Sequence, residues 1–392
     1  RERDNRLCYK FWKAAGEKHY HFETTYYVGI DWLPNSDATI YVEPKISTES
    51  SQVNYLSLLT EAFSDAQNSA HLDDLFEVDF SKEFIPIEQS QDLLTPLLVF
   101  QYINLLKEMV RKGLRKSYNK VERNLNARVK GKVLITQTIK QNLVRNKNTR
   151  TVCRFEEFSI NSVENKVLKK ALQFAKASLA NTGLDVAEFQ ENLSYITPAF
   201  EHVDDVVNIH DLRQIRPNPL FPEYDKALKL ARIILKKYGY TISRAGGKKI
   251  ETPPFWIDMS KLFELYLFAQ LRKRFSKKGE VIYHPRVHQY EPDFLLKSRD
   301  GQYVMVVDAK YKPQYKDSQV AIEDIRQLSG YARMKGVYQL LGIEDISKVI
   351  ECLVVYSDQD SDIDHLMEVD LRSAPESNFV GFYKVGIKLP TL

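Results

Sequence analysis

Tyr290-Glu291-Pro292-Asp293-Phe294 and Val304-Met305-Val306-Val307-Asp308-Ala309-Lys310 are linked through Ser298-Arg299-Asp300-Gly301, which has the composition of a tight turn. The pattern predicts two adjacent antiparallel strands whose far ends lie side by side. One far end carries Pro292-Asp293 and the other Asp308-x-Lys310, so folding brings two carboxylates and one ammonium together. Two carboxylates supply the hard oxygen ligands that Mg²⁺ prefers and leave positions for water and a phosphate. A cation so held lowers the pKa of bound water, and a neighbouring lysine can orient that water or stabilise phosphoryl oxygens. On these short motifs alone, a hairpin whose Asp293 and Asp308 merely face solvent is the plain alternative.

Working outward, Asp258 is placed to cap a helix predicted over 259–275, whose apolar side is Leu262, Phe263, Tyr266, Leu267 and Leu271. Glu264 lies among them, where a carboxylate is costly unless paired or metal-bound, although an acid in an amphipathic helix is usually just exposed. Val281-Ile282-Tyr283 opens the sheet. His284 and His288 follow with an i, i+4 spacing, but Pro285 argues against a helix that would align them, and both read as peripheral. Downstream, residues 320–335 are predicted helical, with Gln327 and Tyr331 on one face. Residues 349–356 and 379–385 return to strand. Between them Asp358, Asp360, Asp362 and Asp364 imitate a calcium-binding loop, yet Ile363 and Val369 stand where such a loop needs Gly and Glu.

At 392 residues the chain has room for two or three domains. Its three cysteines, Cys8, Cys153 and Cys352, are far apart, which argues against a disulfide framework or zinc ribbon and fits a reducing cytoplasm. No apolar run reaches membrane-span length, so no membrane association is expected. The N-terminal Arg1-Glu2-Arg3-Asp4 has no signal-peptide core, and the missing initiator Met suggests a start inside a longer product.

The net charge of +4 conceals an asymmetry: residues 107–154 hold 15 Lys/Arg against Glu108 and Glu122, an excess of +13 that leaves −9 for the rest. Arg111, Lys112, Arg115, Lys116, Arg128, Lys130, Lys132, Arg145, Lys147 and Arg150, interleaved with Asn, Thr and Tyr, are candidate phosphate contacts on double-stranded DNA. Six to ten such contacts cost about 10³ to 10⁵ in affinity between 50 and 200 mM salt. A solvated charged face is the plain alternative. Duplex RNA and single strands offer the same phosphates.

Residues 1–92 read as a β-rich domain, with a hairpin of Thr24–Ile30 and Thr39–Val42 about the turn-like Asn35-Ser36-Asp37 and a strand end at Pro44. A helix begins near Asn54, and Asp73–Val78 leads into the next segment. No catalytic constellation is visible there, and a scaffold or partner-docking role is expected. Residues 93–245 read as a helical, basic linking region. Leu98, Tyr102, Leu105 and Met109 form one stripe, Leu168, Ala171, Leu172, Ala175 and Leu179 another, and Tyr224, Ala227, Leu228, Ala231 and Leu235 a third, after the Pro217/Pro219/Pro222 cluster. Arg244–Lys249 reads as a loop or hinge. The Gly-x₄-Gly-Lys-Ser/Thr phosphate loop is absent throughout, so no nucleotide-hydrolysing engine is recognisable. Residues 246–392 form the third expected domain.

Glu264, a strand, Pro-Asp, a hairpin, Asp-Ala-Lys-Tyr and a Gln-x-x-x-Tyr helix together resemble the PD-(D/E)xK nucleases, with Asp as the second acid. Tyr41-Val42-Glu43-Pro44-Lys45-Ile46, Gly131-Lys132-Val133, Cys153–Ser159 with Asn165, and Asp258–Glu264 then resemble the McrC family, the nuclease subunits of McrBC modification-dependent restriction systems. The resemblance covers most of the chain and is weakest at its two ends. It implies an α+β (α/β) multidomain chain ending in a restriction-endonuclease-like domain, whose mixed sheet is flanked by helices. The implied activity is Mg²⁺-dependent cleavage of methylated foreign DNA, with Mn²⁺ as an alternative ion, beside an AAA+ partner resembling McrB that binds and hydrolyses GTP. Asp293, Asp308 and Glu264 become metal ligands, Lys310 the residue assisting the attacking water, and Gln327 and Tyr331 supporting residues. Pairing of two nuclease domains on DNA is left open. The rival expectation is a non-catalytic adaptor that activates a ring NTPase and keeps the nuclease fold for DNA binding.

Overall fold

The N-terminal residues form strands where β-branched and aromatic side chains concentrate. β1 (Tyr9–Trp12) pairs antiparallel with β2 (His21–Thr24), and β3 (Tyr27–Trp32) with β4 (Thr39–Val42), the expected hairpin. Asn54 caps a short helix, Tyr55–Ala62, by accepting from the Ser57 N–H at 3.1 Å, and β5 (Phe76–Val78) and β6 (Ile85–Ile87) follow. A computed structural model describes the chain except for residues 1–7, 13–15, 17–18, 20, 34–35, 45–52, 65–67, 69–74, 89–90, 183–186, 207–220, 244–249, 313–318 and 392. The expectations for Asn35, Lys45-Ile46, Asp73-Asp74, Pro217/Pro219 and the Arg244–Lys249 loop fall outside the described residues.

Two units form the chain, Arg1–Phe100 with Gly247–Leu392, and Gln101–Gly246. The second corrects the reading of the basic stretch as helical. The Leu94–Lys112 helix ends as expected, but β7 (Ser117–Asn126), β8 (Lys132–Val133) and β9 (Arg150–Ser159) then make an antiparallel sheet in the order β7-β9-β8. Leu125, Cys153 and Phe155, with Val121 and Val133, form a small core on it. Gly131 has φ +68°, and a Cβ there would sit 2.5 Å from the Arg154 carbonyl oxygen, so this β7–β8 connection requires glycine. The Val163–Thr182 and Pro222–Ser243 helices carry the expected stripes; Tyr224 Oη donates to Asn165 Oδ1 at 3.0 Å and accepts from the Arg115 N–H at 2.7 Å.

In the first unit, β10 (Ile250–Thr252) pairs with β6, and β11 (Phe255–Asp258) lies between β3 and β5. The N-terminal strands therefore share a sheet with residues that follow the second unit in sequence. Asp258 ends β11 and caps the Met259–Arg274 helix, its carboxylate accepting from Ser260 and Lys261 N–H at 3.0 and 3.2 Å.

Next come β12 (Val281–Tyr283), β13 (Phe294–Lys297), β14 (Val304–Lys310), β15 (Glu351–Ser357) and β16 (Phe382–Ile387), hydrogen-bonded in chain order. The β12–β13 and β13–β14 pairs are antiparallel, whereas β14–β15 and β15–β16 are parallel. Gly301, at φ +71°, donates its N–H to the Ser298 carbonyl at 2.9 Å and closes the β13–β14 hairpin. The parallel step from β14 to β15 needs a crossover, which the Ile322–Tyr331 and Lys335–Leu340 helices supply. One sheet face packs Leu295, Val306, Cys352 and Val354 against Ile325, Leu328 and Val337 of those helices. On the other, Phe294 stacks on Phe268 of the Met259–Arg274 helix, ring centroids 6.1 Å apart. Each fully buried side chain of this size is worth about 1.5–3 kcal/mol, so burial on both faces holds the strand ends where they are.

Candidate functional site

Strand register assembles the site. Tyr283 pairs with Phe294 and Phe294 with Val307, and one step further His284, Asp293 and Asp308 stand in a row across β12, β13 and β14. The His284 N–H donates to the Asp293 carbonyl at 2.9 Å, and Asp293 Oδ2 accepts from the Ala309 N–H at 2.9 Å, fixing the carboxylate beside Asp308. Asp308 is only 4% exposed and meets Lys310 Nζ at 2.8 Å. Lys310 also lies 3.2 Å from Asp324 Oδ1, in the first turn of the Ile322–Tyr331 helix, and Lys312 approaches the other oxygen of Asp324 at 3.8 Å.

From the opposite side, the Met259–Arg274 helix contributes Glu264. Its Oε2 lies 3.0 Å from His284 Nε2 and accepts from Tyr283 Oη at 3.4 Å. Glu264, His284 and Asp293 thus hold ligand atoms within 4.8 Å of one another, a set able to hold a metal ion.

Burial, then the neighbouring Asp308 and Glu264 carboxylates, push the Asp293 carboxyl well above the ordinary range. Burial likewise raises Asp308, with Lys310 pulling the other way. Lys310 itself is disfavoured by burial, but Asp308 and Asp324 prevail and hold its ammonium above the ordinary lysine value. It is therefore a fixed positive charge at neutral pH. Burial, followed by Glu264 and Asp293, raises the Tyr283 phenol in the same way. Carboxylates crowded beyond the local positive charge, with an imidazole among them, are the donor chemistry of a divalent cation site.

The structure thus brings Asp293, Asp308, Lys310 and Glu264 together. Asp308 pairs with Lys310 rather than joining the Glu264–His284–Asp293 group. Gln327 and Tyr331 share a helix face as expected, but Gln327 Nε2 donates to Tyr331 Oη at 3.0 Å and Tyr331 meets Tyr290 edge-on at 6.2 Å. Among the described residues, neither is hydrogen-bonded to the site carboxylates. His284 corrects the reading that both histidines are peripheral: sheet register carries it into the site without any helix, while exposed His288 stays outside. Asp324 was missed too; an acid in the first turn of the helix after Asp-x-Lys was the available signal.

In the second unit, Arg128, Lys130 and Lys132 lie in and after the β7–β8 connection, and Arg145, Lys147 and Arg150 lead into β9. The Ala127 N–H donates to the Thr149 carbonyl at 2.7 Å and Asn126 pairs with Arg150, which brings Arg128 near the second group. All six are exposed, and Lys130 covers the Phe155 ring at 4.3 Å. Lys116 is exposed as well. Arg111, Lys112 and Arg115 instead pair with Glu108, Glu223 and Glu164 at 2.7, 2.6 and 3.8 Å.

No curated protein sequence matches the chain. Among solved structures, a half-complex from the tetradecameric assembly of Thermococcus gammatolerans McrB AAA+ hexamers with bound McrC aligns at 16% identity and a TM-score of 0.40, covering 95% of this chain and 79% of that one. The cryo-EM structure of the Thermococcus gammatolerans McrBC complex aligns at 16% identity and a TM-score of 0.32, covering 65% and 68%. The family model described as McrBC 5-methylcytosine restriction system component matches residues 22–341. With that match spanning well over half of its length, the chain belongs to the McrBC 5-methylcytosine restriction system component family.

Proposed function

We propose that the chain is a McrC-type subunit: a divalent-metal-dependent DNA endonuclease of PD-(D/E)xK type working with an AAA+ GTPase partner of the McrB kind. The observation carrying this reading is the convergence of Asp293, Asp308, Lys310 and Glu264 at one end of a mixed sheet packed between helices. Glu264, Asp293 and Asp308 are the residues to hold Mg²⁺. When bound, the ion supplies Lewis acidity and a more acidic water. Lys310, kept charged by Asp308 and Asp324, is poor as a proton acceptor and suited to orienting the attacking water and stabilising a phosphoryl oxygen. The exposed basic groups around β7–β9 suit phosphate contacts that position a duplex without reading its sequence.

Motor function is assigned to a second chain, since the phosphate-loop motif is absent from this sequence. The match to a family described as a restriction-system component supports the same division of labour. The test is cleavage of methylated and unmethylated plasmid by the chain with the AAA+ protein encoded beside it, GTP and Mg²⁺. We expect cleavage by the unaltered chain and its loss in Asp293→Ala, Asp308→Ala and Lys310→Ala, each still binding the partner. Cutting by Asp308→Ala at the unaltered rate overturns the nuclease assignment. Stimulated GTP hydrolysis without DNA cleavage by the unaltered chain supports the adaptor reading instead.

A further inference from the structure

β12 is followed by a histidine that turns back into the acidic cluster. His284 adopts φ +45°, uncommon for a residue with a side chain, and its ring packs on Tyr283 with centroids 4.1 Å apart. That leaves Nε2 at 3.0 Å from Glu264 Oε2 and Nδ1 at 3.6 Å from Glu291 Oε1. A Glu–His contact of this length is either a hydrogen bond complete in itself or a pair of donors to one ion. Neighbouring ligand atoms on a six-coordinate ion with bonds of about 2.1 Å also stand about 3 Å apart, so the distance alone suits both.

Further observations favour the ion. Asp293 brings a third ligand atom within 4.8 Å of the other two, which a simple Glu–His pair does not need. Lys310, the lysine whose charge acts on Asp293, is engaged by Asp308 and Asp324. Glu291 lies on the other side of the ring, 3.6 Å from Nδ1, beyond hydrogen-bond reach but within ion-pair distance. An imidazole among carboxylates shifts preference from Mg²⁺, which favours oxygen and water, towards first-row transition ions.

We propose that His284 is a metal ligand, forming with Glu264 and Asp293 a mixed imidazole–carboxylate site that takes a divalent first-row transition ion such as Mn²⁺ in preference to Mg²⁺. The binding claim stands on this geometry, and only its consequence for DNA cleavage rests on the nuclease reading.

The experiment loads the full chain with Mn²⁺ and reads the ion by pulsed electron paramagnetic resonance. Nitrogen modulation from a directly bound imidazole is expected in the unaltered chain and absent in His284→Ala and His284→Gln. Both variants weaken Mn²⁺ binding about tenfold or more and lower the Mn²⁺-over-Mg²⁺ preference measured by competition, and Glu291→Gln weakens it less. Failure of Mn²⁺ to bind, bound Mn²⁺ without nitrogen modulation in the unaltered chain, or an unchanged ion preference in both variants overturns the proposal. Nitrogen modulation without DNA cleavage leaves the ligand assignment standing and removes the nuclease reading. Cleavage with bound Mn²⁺ that lacks nitrogen does the reverse.

Discussion

At the ends of β13 and β14, charge is buried and each group is held by distance: Asp308 and Asp324 clasp Lys310 at 2.8 and 3.2 Å, and Asp293 is fixed by the Ala309 N–H. Around β7–β9, charge is dense and exposed, and Arg128, Lys132, Arg145, Lys147 and Arg150 all stand in solvent. The difference separates two uses of charge. A buried group works through its individual position, because the low local dielectric magnifies each neighbour and solvent does not screen it. An exposed group works through the sum, because water and salt reduce each member to a small share. Single substitutions should therefore be severe in the first region and graded in the second.

The sharpest break is Asp308→Ala, expected to lower cleavage by about 10³-fold or more in a plasmid assay, by analogy with removal of one preorganised electrostatic group. Asp324→Asn is a smaller step. It leaves Lys310 one carboxylate, and we expect a stability loss of about 1–3 kcal/mol by denaturant titration with a reduced turnover. Arg150→Ala, at an exposed site, should change stability by less than about 0.5 kcal/mol in the same titration. Equal costs for the two would erase the contrast.

A third test uses pH. Burial, with Asp308 and Glu264, raises the Asp293 carboxyl in the folded chain, so the metal-free fold holds this proton to higher pH than the unfolded chain does. Stability from this group is present below the ordinary carboxylate value and is lost as pH rises through the elevated one. In chelator at neutral pH, Asp293→Asn should thus melt higher than the unaltered chain, by about 2–4 °C per kcal/mol relieved, with the gain vanishing near pH 3–4. A gain independent of pH would break the argument. The smallest expected effect lies in the second unit: Lys147→Ala or Arg150→Ala should each reduce the slope of log affinity against log salt by about 1, uniformly across DNA sequences. A sequence-dependent loss would mean that the residue reads bases.

How legible each feature was follows from its range along the chain. Asp293, Asp308 and Lys310 could be read because one tight turn links the two strands that carry them. Glu264 stood out as an acid on an apolar helix side. His284 was discounted because its spacing to His288 was tested against a helix, whereas the contact that matters is the β12–β13 register. β7 and β9 escaped because their alternation is between exposed polar residues, as in Tyr118, Lys120 and Glu122, and a thin core of Val121, Leu125 and Phe155. Dense charge hid the period of two that a strand normally displays.

The sequence by itself determined the β13–β14 hairpin, the capped helix that presents Glu264 and the concentration of basic charge, since each depends on residues close together and on turn, cap or composition rules that act locally. Only the tertiary structure decided that β11 lies between β3 and β5, that Asp324 shares Lys310 with Asp308, and that His284 joins Glu264 and Asp293. Those contacts arise when distant segments are packed and registered against one another, and the burial that selects one register over its neighbours exists only once the layers have closed.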